Sequence, residues 1–455
     1  METRAGFSRG PEYIPLNETR EQTNLNSNFV RSKRKREDST PNVTNIPWVD
    51  PNKTYSQVPI VALHEEIEDF YEYIRPTQLE HRMRLDVIRR IKNAVLSLWP
   101  KAQIRVFGSF QTTLYLPTSD IDLVVLGNWK ALPLWTLRDL LVNNNIATPA
   151  DVKVLDKASV PIVKMTDTKT EVKVDISFNM KNGMESAMFI NEKKHEYPNL
   201  AKLVMVLKQF LVLRDLNEVY TGGISSYSLT LLIISFFQLY PRADVSLPNV
   251  NLGVLLLEFF EFYGRHFNYS KTAISVKNGG FYFPKERYKL HKLDFLPSIL
   301  CIEDPLLPGN DIGRNSYGML SVKRAFEHAF ILLSDLVHPK KPKNLGGQSI
   351  LSKIIHVKNE VILYRKRIHE MLQFSHLPNE LEWLNLPAAS TTRKNHNEVC
   401  SNTLSGMAPN LQSWEFRGNN NAESYKNSAK RLRNENAEYF RRGQDGSLQN
   451  RTFQF

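Results

Sequence analysis

The sequence predicts an α+β protein with a mixed sheet, a larger helical domain and polar, basic ends. Apolar residues first recur at helical spacing, from Val61 to Trp99, and then in short strand-like runs between residues 104 and 178. From residue 198 to about residue 372 the spacing is helical again. The first 58 residues and those after residue 375 lack apolar periodicity, so we expect both ends to be disordered.

Predicted elements follow from these patterns. One helix carries Leu63 to Ile74, and a second runs from Leu79 to Leu98 between two prolines, Pro76 and Pro100. Strands are predicted at 104–107, 121–126, 160–165 and 171–178, and the polar turn between the last two predicts a hairpin. Further helices are predicted at 200–216, 226–240, 250–262, 321–336 and 354–372.

The predicted elements divide the chain into five segments. They are a disordered tail (1–58), a helix that packs on the helical domain (59–78), an α/β domain (79–197), a helical domain (198–375) and a disordered basic tail (376–455). The first tail contains four consecutive basic residues, Lys33 to Arg36, preceded by Arg31. This cluster is either a solvated charge run, a nuclear localisation signal or a phosphate-binding arm.

Composition excludes several classes of protein. Of 455 residues 42% are hydrophobic, with 24 Phe and 17 Tyr, which is enough for a large core and excludes a wholly disordered chain. The two cysteines, Cys301 and Cys400, exclude a disulfide scaffold and a cysteine-built zinc site, and they fit a reducing compartment. The densest apolar run, Leu229 to Leu239, is too short to span a bilayer, and the N-terminus lacks the apolar core of a signal peptide, so we expect no membrane partner.

The charge balance points to acidic partners. Lys and Arg outnumber Asp and Glu by 59 to 47, which gives a formal net charge of +12. A basic protein of this kind most often meets nucleic acid, a nucleotide or an acidic membrane surface, and charge alone does not choose among them.

Two carboxylates stand at the start of a predicted strand. Asp120 and Asp122 are two residues apart and precede the apolar run Leu123–Leu126, so their side chains project to the same face. Two like charges held this near to each other are unfavourable unless a cation lies between them. Oxygen ligands at this spacing suit Mg²⁺ or Mn²⁺.

A third carboxylate fits the same site. Asp175 lies in a strand whose other face is apolar, defined by Val172, Val174, Ile176 and Phe178. If that strand neighbours the one that begins beside Asp120 and Asp122, all three acids meet. Three carboxylates around two metal ions are a recognised arrangement for in-line phosphoryl transfer.

Gly108 and Ser109 precede the first two acids by about ten residues. Glycine lets a backbone approach a phosphate closely, and serine adds a hydroxyl donor. Each of these motifs is weak evidence for a phosphate or metal site when it stands alone, since most Asp-x-Asp pairs are surface turns. The ordered combination of strand, Gly-Ser, paired acids on a strand and a further acid on an alternating strand is far more specific.

That combination resembles the polymerase-β-like nucleotidyltransferase superfamily. Residues 108–127, GSFQTTLYLPTSDIDLVVLG, are similar to the signature of the nuclear non-canonical poly(A) polymerases, the catalytic subunits of TRAMP-type RNA surveillance complexes. The resemblance covers about residues 60–345. It implies a nucleotidyltransferase domain with a mixed sheet, followed by a mostly helical central or PAP-associated domain.

A second, distant motif agrees with this resemblance. Residues 302–317, IEDPLLPGNDIGRNSY, form a turn-rich loop that, without other information, is a connector with capping carboxylates. In the family this loop contacts the base of the incoming nucleotide, which implies nucleotide binding by Asn310 and Arg314. Relatives that prefer UTP commonly carry His where this chain has Asn310, so the resemblance favours ATP, with tolerance of GTP.

The resemblance assigns three more nucleotide contacts, each beside a structural alternative. In the family the residue that matches Lys208 reaches the triphosphate. The structural alternative is a lysine whose aliphatic stem lies along the core while its ammonium reaches water. Ser226 binds phosphate and Tyr227 stacks on the base, although Ser225 or Ser226 is also a plausible helix N-cap. Some relatives carry a second lysine where this chain has Val212.

The implied reaction is template-independent addition of AMP from ATP to RNA 3′ ends. Asp120, Asp122 and Asp175 would hold two Mg²⁺ or Mn²⁺ ions, and no separate base is needed. Implied partners are a zinc-knuckle RNA-binding protein, a DExH-box RNA helicase and, functionally, the exosome, in the nucleus or nucleolus. Rival interpretations are a terminal uridylyltransferase, an inactive RNA-decay scaffold, a small-molecule nucleotidyltransferase and template-independent DNA synthesis.

Overall fold

Two long helices precede the sheet in the computed structural model, which describes residues 46–158, 160–180, 182–240, 243–286, 298–338 and 349–373. Helix α1 (Pro59–Ile74) begins with proline at its first position, and α2 (Gln78–Leu98) begins with a reciprocal capping box between Thr77 and Glu80. The predictions for residues 1–45 and 374–455, including the basic cluster at 33–36, lie outside the described residues.

The predicted disorder of residues 46–58 is corrected by the structure. Trp48 is 5% exposed, and its ring packs edge-on against Phe70 of α1 with 5.2 Å between ring centroids. The Lys53 ammonium lies 2.7 Å from the Asp69 carboxylate on the same helix. A single buried tryptophan therefore anchors a segment whose composition is otherwise polar.

A five-stranded mixed sheet forms the centre of the α/β part, so the predicted fold class is confirmed. Its strands are β1 (Gln103–Phe107), β2 (Ile121–Leu126), β3 (Val152–Leu155), β4 (Ile162–Thr166) and β5 (Lys173–Phe178). Their order is β1-β2-β5-β4-β3, in which β2 and β5 are parallel and the other pairs are antiparallel. The remaining helices of this part are α3 (Gly108–Thr112), α4 (Leu134–Asn143) and α5 (Asn182–Glu196).

One face of this sheet is apolar and packs on helices, and the other carries the acids, although Val124 and Ser177 on that second face are also buried. Apolar residues of β2, β4 and β5 form a single core with the buried faces of α2 and α4. Because strand side chains alternate between faces, the acids and lysines of β2, β4 and β5 project from the opposite face.

The helical part forms a second core. It contains α6 (Leu200–Val212), α7 (Ser226–Gln238), α8 (Leu252–Glu261), α9 (Met319–Val337) and the hairpin of β6 (Thr272–Ser275) and β7 (Phe281–Pro284). Helix α1 packs against α6 and α8 in this core. The apolar run 229–239 lies within and just beyond α7, where most of its side chains are fully buried. Among the described residues no helix has both the length and the apolar character needed to cross a membrane.

The last described helix, α10 (Asn359–Gln373), returns to the α/β part. The sequence places this segment in the helical domain, but its contacts are with α2, and Ile368 is buried in the core beneath the sheet. The Arg365 guanidinium lies 2.7 Å from the Glu80 carboxylate and also donates to the Tyr73 carbonyl. Helix α10 therefore fixes the chain where α1 passes into α2.

Candidate active site

The three predicted acids lie at the same edge of the sheet. Asp122 on β2 and Asp175 on β5 are direct partners in the parallel pair, so both carboxylates project from the face opposite α2 and α4. Asp120 precedes β2 by one residue and lies close enough to raise the proton affinity of Asp122 and Asp175. The condition set by the sequence, that the two acid-bearing strands be neighbours, is therefore met.

The acids repel one another in a partly desolvated place. Burial, together with the charges of Asp120 and Asp175, raises the pKa of Asp122 to about 7. Burial also raises the pKa of Asp175, although the Lys164 ammonium donates to its Oδ2 atom at 2.5 Å. A cation placed among these carboxylates would relieve both the repulsion and the desolvation.

These oxygen donors fit a hard divalent cation, the kind of ion the superfamily uses. Within the described ranges, no three side chains from His, Cys, Asp and Glu are already drawn into a closed ligand set. The acids share one edge of the sheet, and Lys164 supplies the positive charge beside Asp175.

Gly108 is required by the position of Asp122. A Cβ atom at residue 108 would lie 2.2 Å from the Asp122 Oδ2 atom, and the glycine has a φ of +67°. The glycine therefore makes room for the Asp122 carboxylate, a reason different from the close approach to phosphate that the sequence suggests. Ser109 follows in α3, where its carbonyl accepts a hydrogen bond from Thr112 Oγ1.

Two basic residues that sequence reasoning missed hold the loop between α3 and β2. Arg84 Nη2 donates to the Pro117 carbonyl at 2.9 Å, and Lys194 Nζ donates to the Thr112 carbonyl at 2.6 Å. Arg84 is 2% exposed. The sequence did hold a signal for Arg84, which lies beside the apolar face of a predicted helix. A buried arginine needs hydrogen-bond partners, so its position could have indicated a contact with the site loop.

Lys208 of α6 is buried beside the same acids. Its ammonium donates to the Leu114 carbonyl at 2.7 Å, and the residue is 6% exposed. Burial lowers the pKa of Lys208 to about 8, against the opposing attraction of Asp120 and Asp122. The structure thus places this lysine near the acids, and its contact with a triphosphate remains a prediction.

The start of α7 lies next to the predicted base-recognition loop. Ser225 is the N-cap and accepts a hydrogen bond from the Ser228 amide at 3.0 Å, which leaves Ser226 exposed in the first turn. Tyr227 is half-buried, and burial raises its pKa to about 12. Ser228 Oγ donates to the Ile312 carbonyl at 3.3 Å, which links α7 to the loop.

Within that loop the acids are structural, as the connector interpretation expects. Asp311 Oδ1 accepts from the Ile302 and Gly313 amides, each at 2.9 Å. Asn310 Nδ2 donates to Asp304 Oδ2 at 2.8 Å, so the amide group has a defined orientation. Arg314 is exposed. The nucleotide contacts of Asn310 and Arg314 stay predictions.

Glu218 is a further residue that the sequence did not single out. It lies before the short 3-10 turn Val219–Thr221 of the helical part. Burial raises its pKa, and the charge of Asp120 raises it further, while Lys164 and Lys173 lower it. The Glu218 carboxylate is therefore within electrostatic range of the acids and lysines of the sheet.

Comparisons with known proteins agree with this geometry. Residues 63–191 match the family model described as "Poly(A) RNA polymerase, mitochondrial-like, central palm domain", and residues 251–310 match "Cid1 family poly A polymerase". The Drosophila melanogaster protein named "Inactive non-canonical poly(A) RNA polymerase protein Trf4-2" is 45% identical over 339 residues, covering 73% of this chain and 82% of that protein. Poly(A) RNA polymerase cid14 of Schizosaccharomyces pombe is 38% identical over 76% of this chain.

Coverage of the relatives is uneven. The chain spans 52% of the fission yeast protein and 56% of Poly(A) RNA polymerase protein 2 of Saccharomyces cerevisiae, about half the length of each.

Solved structures share the fold. One described as "Structure and function of the polymerase core of TRAMP, a RNA surveillance complex" has a TM-score of 0.58 at 37% identity and covers 66% of this chain and 95% of its own. The Cid1 poly(U) polymerase crystal structure has a TM-score of 0.53 at 22% identity, covers 64% and 97%, and supports the fold alone. With the paired acids in place and these relatives matched, the chain belongs to the non-canonical poly(A) RNA polymerases of the nucleotidyltransferase superfamily.

Proposed function

We propose that this protein transfers AMP from ATP to the 3′-hydroxyl of RNA without a template. The observation that carries the proposal is the register of β2 and β5, which pairs Asp122 with Asp175 on the face that also receives Asp120. The poly(A) polymerase names of the relatives and the TRAMP polymerase core support the substrate class.

Each residue at this edge has a separate task. Asp120 and Asp122 would hold two Mg²⁺ or Mn²⁺ ions, and Asp175 would join them at the ion nearer the RNA. Bound there, the ions lower the pKa of the attacking hydroxyl and offset charge on the departing pyrophosphate. Because bound ions would activate the hydroxyl in this way, no dedicated general base is needed. Lys208 would bind the triphosphate as a buried point charge.

The base is held between α7 and the loop at 302–317. Tyr227 supplies an aromatic face for stacking, and Ser226 presents its hydroxyl at the start of α7, where unpaired amides favour phosphate. The Asn310 amide, fixed by Asp304, faces the base edge and favours ATP. Arg314 adds a nucleotide contact from the same loop.

The test is incorporation of labelled nucleotide by the purified chain. We expect a labelled oligo(A) RNA to be extended with ATP in Mg²⁺ or Mn²⁺, with GTP tolerated, and much less with UTP or CTP. Substituting Asp120→Ala together with Asp122→Ala should abolish extension while the circular dichroism spectrum is kept. Extension by that double variant would refute the site assignment, and preferential use of UTP would favour the uridylyltransferase alternative.

An inactive scaffold is the second candidate, favoured by the printed name of the fly relative. The presence of all three acids on one sheet edge argues against it, because a scaffold has no use for carboxylates that repel one another. Absence of incorporation with every nucleotide and either metal, by a folded chain, would support the scaffold.

Partners and location complete the proposal. The TRAMP context of the relatives supports a nuclear surveillance complex, with a zinc-knuckle RNA-binding protein and a DExH-box helicase that direct the product to the exosome. Efficient, salt-resistant tailing by the isolated chain would count against dependence on such partners. Nuclear residence is tested by tagging the chain and substituting the basic residues 33–36, which should leave it outside the nucleus.

A further inference from the structure

The acid-bearing row of the sheet continues into lysines. Across the five strands, direct partners at one level are Phe107, Asp122, Asp175, Lys164 and Lys153, in that order. Paired residues of neighbouring strands project to the same face, so this row leads from the two acids to two lysines. Neighbouring strands in a sheet are about 4.8 Å apart.

A third lysine widens the row on the same face. Lys173 precedes Asp175 by two residues on β5 and is therefore on the same face, opposite Thr166 of β4. Lys153 and Lys173 are exposed, and the Lys164 side chain is 44% exposed. We call Lys153, Lys164 and Lys173 the lysine face.

The positive charges flank the acids from two different sides. Lys208 is attracted to Asp120 and Asp122, whereas Lys164 contacts Asp175. A phosphate-bearing ligand can therefore approach the acids from either side. The side of Lys208 is enclosed by the helical part, while the lysine face is open and extends across two further strands.

We propose that the lysine face binds the phosphates of the RNA strand immediately upstream of its reacting 3′ end. The inference rests on the proposed function and assigns the RNA path for the same site. The strand runs across β5, β4 and β3, with its 3′-hydroxyl at Asp175 and successive phosphates at Lys173, Lys164 and Lys153. Lys164 donates to Asp175 in the structure, and its ammonium would be free to contact an RNA phosphate if a cation neutralised that carboxylate.

Glu218 lies within electrostatic range of this path. The charges of Lys164 and Lys173 lower the pKa of its carboxyl, and the charge of Asp120 raises it. A negative charge there repels phosphate and restricts the backbone to the sheet side of the cleft. Removing that charge should therefore have the opposite effect to removing the lysines.

The experiment measures equilibrium binding of a fluorescent oligo(A) RNA to the full chain, without nucleotide, over a range of salt concentrations. For single strands, each phosphate contact adds about 0.7 to the slope of log affinity against log salt. The double substitution Lys153→Ala with Lys173→Ala should weaken binding and reduce the slope by about 1.4. Glu218→Gln should tighten binding.

Lys169→Ala is the matched control. It removes one lysine charge from the turn of the same hairpin, where Lys169 lies beside Arg90 and Asn93 on the helix-covered side. The inference is overturned if the double variant keeps the wild-type slope, or if Lys169→Ala changes the slope as much per charge. Since the measurement needs no ATP, it is independent of the reaction. If the lysine variant binds RNA as the wild type does, while tailing still requires Asp120 and Asp122, this inference is wrong and the proposed function stands.

Discussion

Asp122 and Asp175, 53 residues apart in the chain, are direct cross-strand partners in the single parallel pair among the described strands of the sheet. Antiparallel strands, β1 on one side and β4 and β3 on the other, complete a mixed sheet whose apolar face is buried by α2 and α4. The pairing would let two short carboxylate side chains reach one ion from neighbouring strands.

Gly108→Ala should displace the Asp122 carboxylate. The new Cβ atom would meet Asp122 Oδ2 at 2.2 Å, and the positive φ adds strain of about 1 kcal/mol. We expect loss of most AMP incorporation with only a small decrease in melting temperature. Gly279→Ala is the control, since its φ is also positive but no atom lies within 4 Å of the added methyl group. Equal activity of the two variants would contradict this role for Gly108.

Lys208→Met should raise the KM for ATP. The substitution keeps the length of the side chain and removes a charge worth about 1.5–3 kcal/mol in a charge-assisted bond, so KM should rise about tenfold to a hundredfold. The free energy of unfolding should fall, because the Leu114 carbonyl loses its donor and Asp120 and Asp122 lose a neighbouring positive charge. Lys202→Met serves for comparison, as Lys202 lies on the same helix but pairs with Glu68 at 2.6 Å. A similar KM for both variants would remove Lys208 from the nucleotide site.

Asn310→His should shift nucleotide choice from ATP towards UTP. The substitution removes the amide that Asp304 orients, and it introduces the residue that UTP-preferring relatives commonly carry. The measurement is the ratio of kcat/KM for UTP and ATP on one RNA. Asn315→His, in the same loop and exposed, should keep the wild-type ratio. An unchanged ratio in the Asn310 variant would argue against base recognition by this loop position.

Glu258 should make stability depend on pH. Burial raises its pKa to about 7, and the charge of Glu261 adds to the effect. The folded state therefore holds a proton that the unfolded state releases near pH 4.5, so stability falls as pH rises from about 4.5 to 7. Melting temperatures of Glu258→Gln should fall less over this window than those of the wild type. The exposed Glu360→Gln should follow the wild-type curve, and parallel curves for all three proteins would disprove the assignment.

The alternation of apolar and polar residues predicted the strands of the site well, because it is a local property of the sequence. Strand β2 begins and ends where the sequence places it, and β5 differs only at its start, since Glu171 adopts a positive φ that ends the extended run. Partner choice is not local. Alternation shows which face of β5 carries Asp175 but not which strand lies beside it, so the pairing with Asp122 required the structure.

Other features escaped prediction for physical reasons. Strand β3 has only four residues, and α5 has little amphipathic contrast, with only Ala187 and Ile190 buried. The Lys164–Asp175 ion pair joins adjacent strands and follows from their register rather than from any motif. Helix α10 was predicted, but its packing on α2 depends on contacts such as Arg365 with Glu80, which no local pattern indicates.

Divalent-cation binding tests the central claim most directly. In a titration of Mn²⁺ followed by electron paramagnetic resonance, with an ATP analogue that cannot react, the wild-type chain should bind two ions per molecule. The variant Asp122→Asn with Asp175→Asn should lose tight Mn²⁺ binding while its melting temperature is kept or increased, since the carboxylates repel one another. Unchanged Mn²⁺ stoichiometry and affinity in that variant would show that the paired acids of β2 and β5 are not the metal site.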